Sequence, residues 1–252
     1  MGETSAHFVN LQTDRPTLCQ EAEQALSAAR LRAYQGRGEP DTFNAIARYL
    51  WNAALCEALY PMLQAFEVAL RNAIHDSLSE YYRPEWLLDP HLFRRKEWEA
   101  ILKAQTSLAQ QGKPVANSIL NPDDLVAELM LGFWTGLFVH AYDRSVVLPV
   151  IRRRLKGFPS VMRTRDGLYK RFDRVRFLRN RVAHHEAIWH WQDLPQRHAD
   201  IVDYTRYLNP TLRDLTALVD RFEVVHTAGW KHYRTRLGDE LLKPMPPAGT
   251  AP

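Results

Sequence analysis

Residues 176–186 concentrate the reactive side chains of this chain: Arg176-Phe-Leu-Arg179-Asn180-Arg181-Val-Ala-His184-His185-Glu186. Imidazole titrates near neutral pH and can give or take a proton there, while guanidinium keeps its charge and offers a planar fork to phosphate oxygens. RNA cleavage needs little more than these two groups, because the 2′-hydroxyl is an internal nucleophile toward its neighbouring phosphate. What the protein must supply is an acid or base and a fixed cation for the charge that develops on the phosphorane. His184 suits the first role and Arg179 the second; Asn180 can bond a phosphate oxygen or fix the His184 ring. Lys170, Arg171, Arg174, Arg176, Arg181 and His185 would bind the RNA backbone around them. No carboxylate cluster suited to a pair of magnesium ions stands nearby, so a metal-free route without cofactor is expected. A His184-His185-Glu186 metal site is disfavoured, since adjacent helical residues point about 100° apart.

The element that must carry these groups is a helix over about 167–188. Leu168, Phe172, Val175, Leu178 and Val182 form its apolar stripe and leave the other face for polar residues. Asn180 and His184 then lie one turn apart on one face, as do Arg181 and His185. Arg179 sits about 140° round from His184 on an ideal helix. A long arginine side chain, a local distortion, or the same segment of a second subunit must bring the two groups to one phosphate.

Apolar residues recur at helical spacing along nearly the whole chain, with no alternating runs bounded by hairpin turns, so an all-α fold is predicted. Further helices are expected over about 19–35, 41–58, 60–82, 91–111, 122–142, 144–156, 194–207, 209–226 and 228–238. Asn121-Pro122-Asp123-Asp124 and Asn209-Pro210 carry helix-start chemistry: a capping side chain, a first-turn proline and, at the first, two acids at the positive end of the dipole. The expected division is an N-terminal helical extension (1–40), a main helical domain (41–240) and a proline-rich flexible tail (241–252).

The chain has 252 residues and is 46% hydrophobic, enough to bury a core. Two distant cysteines, Cys19 and Cys56, indicate neither a disulfide framework nor a thiolate metal site. The N-terminus lacks a secretory pattern. The apolar stretch Leu125–His140 contains Glu128 and falls short of the roughly 20 residues that span a bilayer, so a cytoplasmic protein without membrane contact is expected. Net charge is only +4, but from Arg152 to Arg181 twelve Lys or Arg stand against Asp166 and Asp173. That stretch is net +10 and the remainder −6, a concentration of cations that suits a polyphosphate partner.

Arg179-Asn180-Arg181-Val182-Ala183-His184 resembles the R-x(4 to 6)-H signature of HEPN ribonucleases, in the form with a polar Asn after the arginine. The longer string Leu178-Arg-Asn-Arg-Val-Ala-His-His-Glu186 resembles the abortive-infection (Abi-like) family. So do Leu59-Tyr-Pro-Met-Leu-Gln-Ala-Phe-Glu-Val-Ala-Leu-Arg-Asn72 and Val126-Ala-Glu-Leu-Met-Leu-Gly-Phe-Trp134, and together these segments span about residues 45–220. The resemblance implies a HEPN-like helical bundle with additional packed helices. It implies a homodimer in which two motifs face each other over RNA, and a phage-defence or toxin–antitoxin role with a small RNA or protein antitoxin. Within it Arg179, Asn180 and His184 take the motif positions. Arg71 and His75, in the echo Leu70-Arg71-Asn72, are too closely spaced for the motif and are assigned no catalysis; Arg71 is expected to pair with Glu67.

Blander uses stand beside these. The motif can be a polar face that only positions an interface, the basic run a solvated helix face, and His185 a structural histidine. Trp134, Trp189 and Trp191 can stack bases but suit packing better. Against the endoribonuclease stands a non-catalytic RNA-binding or scaffold protein using the same surface. A DNA-binding regulator lacks a convincing helix-turn-helix.

Overall fold

In a computed structural model the described residues are 13–38, 40–114 and 121–242, and they are mostly helical with no strand among them. The helices are α1 (Arg15–Leu26), α2 (Ala28–Arg32), α3 (Thr42–Tyr81), α4 (Arg95–Gln110), α5 (Pro122–Glu128), α6 (Leu131–Gly136), α7 (Leu148–Arg153), α8 (Arg165–Ala183), α9 (Leu194–Leu208), α10 (Pro210–Ala217) and α11 (Phe222–Leu241). The all-α fold expected from the apolar spacing is the one observed. From residue 243 on, the expected tail lies outside the described residues.

Two compact units divide the chain. One takes the residues up to Ala58, His185–Gln192 and the chain from Arg221; the other takes Leu59–His184 and Asp193–Asp220.

The first unit packs Leu31, Tyr34, Phe43, Ala45, Ile46 and Leu237 into a core, with Trp189 and Leu241 against it. Asn52 is its polar hub. Only 3% exposed, its side-chain oxygen accepts from the backbone N–H of Ile188 at 2.7 Å and of Trp189 at 3.0 Å, and its amide donates to the Glu186 carbonyl at 3.3 Å. Segment 185–192, without regular helix, is thereby given backbone partners that secondary structure does not supply. Within the same unit Trp51 donates to the Val225 carbonyl at 3.0 Å.

The second unit holds α8. Phe172 on its apolar stripe meets Phe66 of α3 at 5.6 Å between ring centroids, Phe138 at 5.0 Å, Phe158 at 5.9 Å and Tyr204 of α9 at 6.4 Å. Leu168, Val175, Leu178 and Val182 are buried beside it, as the spacing predicted. Edge-to-face aromatic contacts add to the area buried, so this stripe fixes which face of α8 is left to solvent.

The structure departs from the expected helix ends at several points. Residues 41–58 and 60–82 are one helix, α3, which runs through Pro61. Burial of Leu55, Leu59, Met62 and Leu63 on either side offsets the hydrogen bond that Pro61 cannot donate. The expected helix over 122–142 breaks at Leu129 and Met130, both in extended conformation, and 209–226 breaks before Phe222. Among the described residues α3, rather than Leu125–His140, is the helix long and apolar enough to cross a bilayer; its mean hydropathy reaches 1.2 over eighteen residues, half of which are buried within the protein.

Candidate functional site

α8 begins where Thr164 accepts from the Gly167 N–H at 3.1 Å. It ends at Ala183, five residues short of the expected limit. His184 is its C-terminal cap, with its N–H on the Asn180 carbonyl at 2.9 Å, and His185 turns into the left-handed region at φ 56°. Such a residue commonly follows a helix C-terminus. Asn180 and His184 therefore keep their one-turn relation, while the expected pairing of Arg181 with His185 on one face is lost.

Arg179 leaves α8 on the opposite side from His184. Its Nη2 lies 3.4 Å from Glu67 Oε2 of α3, and the two side chains are only 30% and 17% exposed. They share a groove of about 330 Å³ lined by α3 and α8, with Tyr60, Gln64, Arg71 and Val182 among its walls. Asn180 and His184 are not part of that lining, and His184 is exposed. Within one chain the structure thus places the Arg179 guanidinium in the groove and leaves His184 outside it.

No protein-family model, curated protein or solved structure matches this chain. What the site can do rests on its own groups.

The cationic stretch is less bare than its sequence implies. Arg153 and Arg154 reach Glu80, Arg165 meets Asp143 at 3.1 Å, Arg174 lies 3.9 Å from Asp193, and Arg176 is held by Asp173 at 2.6 Å. Arg171 donates to the Gly167 carbonyl at 2.8 Å, and Arg181 stacks over Phe177 at 5.0 Å. Lys170 and Arg174 face solvent on the same side as Phe177, Arg181 and His184. His185 is exposed, and its carbonyl accepts from Arg30 at 2.9 Å.

The residues of the echoing motif divide as well. His75 is structural: Trp86 donates to its Nδ1 at 3.2 Å, Ser79 bonds its Nε2 at 3.3 Å, and burial pushes its pKa below the usual histidine value. Arg71 does not take Glu67, which Arg179 occupies; it donates to the Ala127 carbonyl at 3.4 Å, and its buried Nε has no partner among the described residues. Trp134 is fully buried with its N–H on the Leu129 carbonyl, so packing is its use. Among the described residues no three His, Cys, Asp or Glu side chains gather as a metal site.

Sequence reasoning missed Glu67 as the partner of Arg179 and Asn52 as a hub. Glu67, Arg71 and Tyr60 lie on one helical stripe at spacings of four and seven, a signal that was present but indistinguishable from an ordinary solvated face.

Proposed function

We propose that this chain is a metal-independent endoribonuclease of the HEPN, Abi-like kind, acting in the cytoplasm as an abortive-infection or toxin-type effector. Arg179, Asn180 and His184 would act at a site completed by a second copy. The observation that carries this reading is the disposition of the motif: Arg179 half-buried in a groove, His184 exposed at the end of the same helix. A two-fold partner would bring the imidazole of one copy to the guanidinium of the other. His184 would move the proton of the 2′-hydroxyl, Arg179 would hold the charge on the phosphorane, and Asn180 would orient either of them.

The test is cleavage of single-stranded RNA in EDTA. His184→Ala should abolish cutting while RNA still binds, and Arg179→Ala should lower it by about a hundredfold or more. Cutting that survives His184→Ala sinks the assignment. A second reading, a non-catalytic RNA-binding scaffold, is favoured by one observation: the guanidinium assigned to chemistry is already engaged by Glu67. That protein would bind the same RNA and never cut it.

A further inference from the structure

The groove between α3 and α8 contains more than Arg179. Along α3 it presents Tyr60, Gln64, Glu67 and Arg71, a single stripe about 16 Å long at 1.5 Å per residue. Tyr60 is 61% exposed, which leaves its ring face open at one end. At the other end Arg71 has a weak contact to a backbone carbonyl at 3.4 Å and a buried Nε with no partner among the described residues. That weak contact leaves the Arg71 guanidinium without a charged partner, and an oxyanion drawn into the groove would supply one. Between them Glu67 is the single carboxylate against two guanidiniums, so the groove carries an excess positive charge that its own residues do not cancel.

We propose that this groove binds the phosphodiester backbone of single-stranded RNA through Arg71 together with Arg179, and that Glu67 is an internal stand-in for the phosphate. In the free protein the Glu67 carboxylate holds the Arg179 guanidinium in place; an incoming phosphate competes for the same donors and Arg71 supplies the second fork. Tyr60 offers the stacking surface that sequence-tolerant single-strand binding uses. A planar fork at each of two sites suits the tetrahedral oxygens of phosphate, and an aromatic face beside them favours nucleic acid over a simple anion. This proposal rests on the ribonuclease reading for the identity of the ligand, but its test needs no cleavage.

The probe is a short, fully 2′-O-methylated RNA, which cannot be cut by internal attack, labelled for fluorescence anisotropy and titrated over a range of salt. Arg71→Ala should weaken binding about tenfold and flatten the dependence of affinity on salt by roughly one phosphate contact. Glu67→Gln should tighten binding about fivefold, because the competing charge is removed while the side-chain shape is kept. That second variant guards against misfolding, since a damaged protein would not bind better. Wild-type affinity and salt slope in Arg71→Ala overturn the proposal, as does unchanged or weaker binding in Glu67→Gln. If the protein cuts RNA through His184 yet neither variant alters binding, the groove is wrong and the nuclease stands. If nothing is cut but both shifts occur, the groove stands and the nuclease falls.

Discussion

Asn52 shows how much one buried amide can decide. It satisfies two backbone donors and one acceptor of a segment that has no helix of its own. Asn52→Leu leaves those groups buried and unmatched, and it should cost about 3 kcal/mol in urea unfolding. Cys56 gives a second residue-scale expectation. Burial pushes its thiol up to about 11 from 9.0. Its reaction with iodoacetamide at pH 8 should therefore run at least tenfold more slowly than that of an exposed thiol, and speed up on denaturation. His184 and Arg179 were readable from residue type and spacing. Glu67 was not, because a glutamate on a predicted helix looks the same whether it faces water or a guanidinium more than a hundred residues away.

Among the elements, the start signals were the most legible. Asn121 accepts from the Asp123 N–H at 3.1 Å and Asn209 from the Leu212 N–H at 2.9 Å, each followed by proline, as Asn-Pro predicts. Asn209→Ala should lower stability by about 1 kcal/mol, measured by chemical denaturation. Helix ends were less legible because they are set by distant partners. α8 ends at Ala183 although Val182, Ala183 and the two histidines carry nothing in their sequence that forbids another turn. Its continuation is instead drawn off by Asn52 and Arg30, which claim the peptides of residues 185–189. Pro61 misled in the other direction. Proline rules predict a break, but apolar burial on both sides carries α3 through it. Arg179 lines the groove with α3 while His184 caps α8 outside it, in keeping with the offset that helical pitch gives the two positions.

For the whole molecule, apolar spacing was sufficient to predict an all-α fold, whereas the grouping of distant stretches into units was not legible at all. The charge pattern was legible but overstated: a run of net +10 by sequence is met by Glu80, Asp143 and Asp193 from outside it in the folded chain. Alkaline pH should weaken the fold. Burial raises Cys56 to about 11 and Tyr142 to about 12, and pushes Tyr34, Tyr82, Tyr204 and Tyr233 upward. The unfolded chain releases these protons first, so their contribution is complete below about pH 9.0 and is lost as pH climbs toward 11 for Cys56 and toward 12 for Tyr142. The urea midpoint should fall across that window, and less steeply in Cys56→Ala. If the proposed two-fold site is right, sedimentation should report dimers whose specific cleavage rate drops on dilution. The interleaved units also bear on biosynthesis. A core that joins Leu31 and Phe43 to Leu237 cannot close until the ribosome has made the last of them. At the usual 5–20 residues per second, the early helices wait roughly 10–40 seconds for their mates. During translation the nascent chain would thus be exposed to chaperones and proteases, and a stop codon placed before Arg221 should yield a product that is degraded rather than one that folds in part.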